Sequence, residues 1–394
     1  GGPALGGTAL LSGVSWAMML SRIRLRNFRN HDATAIDLAG GINAFLGDNG
    51  QGKTNILEAV SYLSLTKSFY AAGDAEVIGV GKEAFDVDGV LVSDAGIEQR
   101  AAVTCRRTPP EKRFLLNGVS PETLASVIGR FPLVVLSPEN GAITFGGPME
   151  RRRFLDMTLS QVSQAYLGDI LEYRKALRQR NRLLADARSG GSCPPGVLEP
   201  WTESVIASGS SVAARRAEFV QEFRAYVERS YTSVIPEGES PAVAYVCSFA
   251  PPEAFTVRAF AEGLAAELAM RSAEERRRGL TLAGPHRDDL HLTINGMDVG
   301  RFASQGQHRT LLVALKLAEF AYMNERRRET PMLLLDDVFS ELDRSRIAHI
   351  LALAADIGQV MITTTDPRVF DGLITWRDRH RRFTVDHGTC RQET

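Results

Sequence analysis

The sequence predicts an α/β protein: a phosphate-loop α/β core with an antiparallel β lobe, interrupted by an inserted α-helical subdomain. Three observations carry this expectation. The apolar run INAFL enters a glycine-rich turn at 47–54 and leaves it as a helical pattern. From 149 to about 234 the chain is Arg-rich, and its apolar residues recur every three or four positions. Beyond about 280 short apolar strands alternate with helices again, and one of them, MLLLDD at 332–337, ends in two carboxylates.

Composition bounds the reading. The 394 residues suffice for two or three domains at roughly 150 residues each. A 44% hydrophobic and 24% charged chain has the material for a large core, which excludes wholesale disorder. No apolar stretch approaches the ~20 residues of a membrane span. The 46 basic residues against 47 acidic ones exclude a uniformly basic nucleic-acid binder and leave only local patches for such contacts. Cys105, Cys193, Cys247 and Cys390 show no CxxC spacing, so no zinc or redox motif is indicated and a reducing, cytoplasmic location is expected. Residues 1–17 lack the positive charge of a secretory signal and read as a leader. The expected division is 1–17 leader, 18–150 first part of the head, 151–275 helical arm, and 276–394 second part of the head.

Taken in order, LSRIRLRNF, TAIDL and INAFL are short strands by alternation or apolar run, and NILEAVSYLSL is a helix by its spacing of Ile56, Leu57, Val60 and Leu63. Residues 84–117 read as three antiparallel strands, with Asn117-Gly118 as a tight turn; Asn295-Gly296 is a second. FPLVVL is a further strand. From Met149 to about Arg188 one long helix is expected from Phe154, Leu155, Leu159, Val162, Tyr166, Ile170, Tyr173 and Leu177. SGGSCPPG breaks it, and a second helix to about Val234 completes an antiparallel hairpin whose arms are at most roughly 50 Å long. A helix from Gln305 to about Arg327, the strand MLLLDD, the helix SRIAHILALAA and the strand QVMITTT follow.

Gly47-Asp48-Asn49-Gly50-Gln51-Gly52-Lys53-Thr54 fits GxxxxGK[ST] between a strand and a helix. Glycines let the backbone turn its N–H groups toward phosphate oxygens. Lys53 would reach the β and γ phosphates of ATP and the Thr54 hydroxyl would ligate Mg²⁺, with the helix N-terminus adding its dipole. Of the two strand-end acids, Asp336 is assigned to the metal and Asp337 to polarising the attacking water. Phosphate loop, helical insertion, the Ser304-Gln305-Gly306-Gln307 helix start, the DD strand and Glu341-Leu342-Asp343 occur in the order of an ATP-binding-cassette (ABC-type) ATPase head.

The segments NFRNH, GDNGQGKTNILEA, SPEN, RRRFLD, GPHRDDL, SQGQHRTLLVALKLAE and LLLDDVFSELD together resemble the RecF family of bacterial SMC-like ATPases. The resemblance runs from Leu20 to the strand near Thr365. It implies a homodimer closed by ATP, with Ser304, Gly306 and Gln307 of one subunit facing the γ-phosphate held by Lys53 of the other. It also implies Asp343 in a loop crossing the interface, Arg29 and Asn30 near the nucleotide, Glu139 near the metal, and Thr364 or Thr365 at the switch position. Asp337, shorter than the Glu of transporters, implies slow hydrolysis, a weak DNA-stimulated ATPase suited to a switch. The expected partners are gapped or junction DNA, bound without sequence preference, and the RecO and RecR mediators that help load RecA. The expected place is the nucleoid. A transporter subunit or a nuclease-linked head is the alternative use of the same core.

Basic residues cluster at Arg22/Arg24/Arg26/Arg29, Arg106/Arg107/Lys112/Arg113, Arg151–Arg153, Arg174/Lys175/Arg178/Arg180/Arg182, Arg276–Arg278 and Arg326–Arg328. Each reads as a solvated face or as a phosphate-led DNA contact. His286-Arg287-Asp288-Asp289 lacks the further ligands of a metal site and reads as structural or DNA-facing.

Overall fold

The computed structural model describes residues 18–393 apart from 72, 192–194, 236–237, 251, 253, 328, 342 and 377–378. The expected leader at 1–17, Cys193, Arg328 and Leu342 lie outside the described residues. In chain order the elements are β1 (Met19–Phe28), β2 (His31–Asp37), β3 (Ile42–Leu46), α1 (Lys53–Leu65), β4 (Ala84–Val92), β5 (Glu98–Arg106), β6 (Glu111–Leu116) and β7 (Leu133–Leu136). Next come α2 (Ala142–Phe145), α3 (Pro148–Val162), α4 (Gln164–Arg188), α5 (Pro195–Val234), β8 (Pro241–Val246), α6 (Val257–Met270), α7 (Ser272–Arg278), β9 (Asp289–Ile294) and β10 (Met297–Asp298). The chain continues through α8 (Val299–Phe302), α9 (Gln305–Arg326), β11 (Met332–Asp336), α10 (Arg344–Asp356), β12 (Val360–Thr364), β13 (Arg381–Asp386) and β14 (Thr389–Gln392).

Three sheets result. β2-β1-β4-β5-β6 is the antiparallel lobe, β10-β9-β8 a small sheet, and β14-β13-β3-β12-β11-β7 the central sheet. In the central sheet every pair is parallel except β13–β14. Its strands β3, β11 and β12 are buried along their whole length because both faces are covered, and their few polar residues are Asn43 of β3 and, at the strand ends, Asp336, Thr363 and Thr364. Alternate side chains separate the two cores. Phe45, Leu334 and Met361 face the antiparallel lobe and α1, whereas Ala44, Leu46, Leu333, Leu335 and Ile362 face the helices. The helix-side core runs without interruption from those strands through α9 and α5 to Tyr166, Ile170 and Tyr173 of α4.

The expected hairpins form. Asn117 and Gly118 have φ of 51° and 81°, and Asn295 and Gly296 have 52° and 76°, the doubly left-handed pair that a tight two-residue turn needs. Two expectations are corrected. The single helix from 149 to 188 is two helices, because Ser163 is extended (φ −134°, ψ 111°) and its hydroxyl caps the amide of Tyr166. The apolar spacing continues across this break, so periodicity does not register it. The second arm is also longer than expected: α5 has 40 residues, about 60 Å, packed along both α4 and α9.

Charged ties brace the helical segment and fasten it to the strands that follow. Arg180 is 3% exposed and bonds Glu275, Thr281 and Thr202, while Glu275 also accepts the amide of Leu282. Asp156 accepts Arg216, Arg174 and the Tyr166 hydroxyl. Arg151 makes a two-bond pair with Asp289. Removing one member of a buried pair strands the other charge. Arg180→Met is expected to destabilise the protein by about 3–5 kcal/mol in urea unfolding. Adding Glu275→Gln should restore part of that loss, an outcome that simple loss of packing by Arg180 does not produce.

Candidate functional site

Four parallel strands end on one edge of the central sheet, where open α/β sheets place their ligands. β3 delivers the loop 47–52, β7 the turn holding Glu139, β11 Asp336, and β12 Thr363 and Thr364. The loop demands glycine at its bends. Gly47 has φ 152° and an added Cβ would lie 2.3 Å from the Val385 carbonyl; Gly52 has φ 110° and its Cβ would lie 2.5 Å from Asn30. At Gly52 the chain turns into α1, whose first amides have no side-chain cap. Those N–H groups form an anion-binding end.

Lys53, only 6% exposed, lies over this loop and donates to the carbonyls of Gly47 (2.7 Å) and Asp48 (2.8 Å). Burial pulls its pKa down, opposed by the fields of Asp337, Asp336 and Asp48. The Asp336 carboxylate, 4% exposed, accepts the hydroxyls of Thr54 (2.8 Å) and Thr363 (2.7 Å). Burial pushes its pKa up; the two hydroxyls oppose this, and Glu139 and Asp337 reinforce it. Asp337 follows in the left-handed region (φ 48°), pinned by its amide to the Thr363 carbonyl and hydroxyl. The fold thus gathers the phosphate loop, Thr54, Asp336, Asp337 and Glu139 at one place. Their chemistry is that of a polyphosphate with a hard, oxygen-ligated cation.

The other expected residues have different settings. Asn30 donates to the Gln51 carbonyl and accepts from Asn55, so it braces the loop from outside. Arg29 has φ 54° and gives the Nε–Nη2 edge of its guanidinium to the buried carboxylate of Glu58 on α1, and its Nη1 to the Glu76 carbonyl. Ser304 caps α9 in a reciprocal box with Gln307, whose side-chain amide reaches Glu239. Above Gly306 an added Cβ would meet nothing nearer than the Ser304 hydroxyl at 3.9 Å, so this helix start is open. A cleft of about 560 Å³ separates it from the β7 turn, with Pro138 and Phe145 on one wall, Gln305 and His308 on the other, and Asp337 at its edge. Asp343 caps α10 through the amide of Arg346. Thr364 is buried at the strand end, whereas Thr365 is exposed beyond it. His286, Asp288 and Asp289 are held internally by Tyr173, Ser248 and Arg151, a structural role.

Sequence reasoning missed the scaffold behind the loop. The turn between β13 and β14 brings the Gly388 amide to the Gln51 carbonyl (3.0 Å) and the His387 amide to the Gln51 side chain (2.7 Å). His31, fully buried, lies between the Gly52 carbonyl and Thr34, and Thr34 donates to the Gly388 carbonyl. Burial lowers the pKa of His31 and so favours its neutral form. Asp386-His387-Gly388 between the runs RRFTV and TCRQ is the turn signal that could have disclosed the hairpin.

The family model described as the RecF/RecN/SMC N terminal domain matches residues 19–376. The DNA replication and repair protein RecF of Chloroherpeton thalassium is 40% identical over 357 residues, covering 90% of this chain and 96% of its own. That of Salinibacter ruber is 40% identical over 378 residues, 94% of this chain and 91% of its own. A solved structure of the recombination mediator protein RecF with ATP, in the RecFOR pathway, superposes with a TM-score of 0.86 at 29% identity, covering 96% of this chain and all of that one. The head of an Smc protein from Pyrococcus furiosus shares the fold at 13% identity and a TM-score of 0.55.

An added Cβ at Gly388 would lie 2.0 Å from the Asn30 carbonyl, with φ already at 75°. Gly388→Ala is therefore expected to shift the brace and weaken binding of a fluorescent ATP analogue at least several-fold, although residue 388 lies outside the loop. Gly52→Ala should abolish that binding. Retained affinity in both would show that the loop does not need this backing.

Proposed function

Because this chain belongs to the RecF family of DNA replication and repair proteins, SMC-like ATPases of ABC type, we propose that it is an ATP-gated DNA-binding switch of recombinational repair. The observation that carries this is the joined site: Lys53 over the loop, and Thr54 and Thr363 both bonded to Asp336. ATP would lay its β and γ phosphates against the loop amides and Lys53. The donor set fits Mg²⁺, since Thr54 and Asp336 offer hard oxygens and the buried carboxylate stands in the field of two further acids. When bound with the nucleotide, Mg²⁺ supplies charge neutralisation at the phosphate oxygens.

Half of the γ-phosphate's surroundings would remain open within one chain. The capped but uncovered start of α9, with Ser304 and Gly306, is the matching donor that a second copy can bring. ATP then becomes part of a homodimer interface, and hydrolysis, with Asp337 orienting water, opens it. Asp337 is a short acid, which suits slow turnover and a weak DNA-stimulated ATPase. By family, the closed dimer marks gapped or junction DNA in the nucleoid and assists RecO and RecR in loading RecA.

Light scattering with and without ATP tests the gate. The wild type is expected to double in mass with ATP, while Lys53→Met and Ser304→Arg stay monomeric. Asp337→Asn should dimerise and then persist at least tenfold longer. A dimer that forms without ATP, or that survives Ser304→Arg, overturns the reading.

A further inference from the structure

The six basic clusters visible in the sequence are not equivalent in the fold. Arg22 pairs with Asp37, and Arg29 with Glu58. Lys112 pairs with Asp74, and Arg151 with Asp289. Arg278 pairs with Glu274, and Arg326 with Glu222. Other members of these clusters, among them Arg24, Arg26, Arg113 and Arg276, have no ion pair among the described residues, so pairing alone does not single out a surface; one group is set apart by the cavities it lines. Two adjoining cavities of about 270 and 380 Å³ lie where the end of α1 meets α3 and α4, and both are lined by Lys67, Arg153, Arg174 and Asp156. Arg152 and Arg216 line the larger one as well. Five cations thus line these cavities, and Asp156 is the one carboxylate among the lining residues.

That carboxylate is already committed. Arg216, 2% exposed, takes one Asp156 oxygen through two of its nitrogens, and Tyr166 donates to the same oxygen. Arg174 takes the other oxygen with one nitrogen while remaining half exposed. Among the described residues Arg152 is bonded only to the Asp288 carbonyl. Arg153 has only a 3.8 Å contact with Glu150, and the Lys67 ammonium has no hydrogen bond or ion pair among the described residues. Desolvation first, then the fields of neighbouring cations, hold Lys67 and Arg152 below their ordinary pKa values, opposed by Asp156 at Lys67 and by Asp289, Asp288 and Asp156 at Arg152. Clustered like charges cost free energy unless an anion joins them.

The group does not end at the cavity. Arg174, Arg178 and Arg182 are exposed at four-residue spacing on α4, and neither Arg178 nor Arg182 is ion-paired among the described residues. The row spans about 12 Å of helix, the axial rise of three or four phosphates of one duplex strand at about 3.4 Å each. A free phosphate would fill the cavity but leave this row unused; a polymer would use both.

We propose that Lys67, Arg152 and Arg153, continued by Arg174, Arg178 and Arg182 along α4, form the track that holds the phosphodiester backbone of DNA. This rests on the DNA-binding reading above and assigns it to one surface. The contact is to phosphates, so it is tolerant of sequence and sensitive to salt.

The test is fluorescence anisotropy of a labelled duplex with ATP, across a salt series. The triple variant Lys67→Gln/Arg153→Gln/Arg178→Gln is compared with Arg24→Gln/Arg26→Gln on β1. All must retain the wild-type melting temperature and ATP binding. The track variant is expected to lose on the order of a hundredfold in affinity at ~0.1 M salt, and its log–log salt slope should fall by about 2 to 3. The β1 variant should stay within a few-fold of wild type. Unchanged affinity and slope in the track variant overturn the assignment, as does an equal loss in the β1 variant, which would mean diffuse attraction. If inorganic phosphate raises the melting temperature of wild type but not of the track variant, while both bind duplex equally, the cavity is a free-anion site and the proposal fails. If wild type with ATP binds no duplex, the DNA-binding reading itself fails, a result separable from the others.

Discussion

The shared bond of Thr54 and Thr363 to the carboxylate of Asp336 is the constraint on which the rest of the site depends. It joins the first turn of α1 to the ends of β11 and β12, three segments far apart in sequence. A carboxylate that is 4% exposed and raised in pKa is poorly solvated, so the two hydroxyls matter to it. They also set where Asp337 begins. Its left-handed backbone follows directly and is fastened to the same Thr363. One buried acid therefore locates the phosphate loop, the strand-end acids and the end of β12 relative to one another.

The loop is backed from both ends of the described chain. Asn30 and His31 lie just after β1, and His387 and Gly388 lie in the last hairpin, yet all meet Gln51 or Gly52. Each of these bonds has a backbone group on one side, and three of the four also need a particular side chain, that of Asn30, His31 or Gln51, so the brace depends on both chain path and side-chain identity. It also depends on the positions where a Cβ would collide, Gly47, Gly52 and Gly388. Gln359 plays a comparable part at the base of the sheet. Its amide joins Leu20 and Ala39 of the antiparallel lobe to β12. The lobe, the loop and the parallel sheet are thereby held in register.

Near-neutral net charge hides an uneven surface. Arg180 and Arg216 are spent inside the protein on Glu275 and Asp156, and Arg151 ties α3 to β9. Of the Arg-rich segment from 151 to 182, a minority remains outward and uncompensated. Counting charges along the chain cannot make that separation, because the acids that cancel Arg180, Arg151 and Arg29 come from distant segments or other elements.

The sequence by itself determined the α/β class, the strand–loop–helix at 47–54, the DD strand, the two Asn-Gly hairpins and the family. Each of these is written locally, in periodicity, in positive-φ glycines or in a contiguous motif. The tertiary structure alone decided four things: the break at Ser163, the β13–β14 hairpin beside β3, the engagement of Arg29 by Glu58, and the choice between Thr364 and Thr365 as the exposed residue. The first is invisible because apolar spacing passes through it. The others depend on which segments lie side by side, and that is settled by how the two faces of the parallel sheet are covered, a property of the assembled core and not of any one stretch of chain.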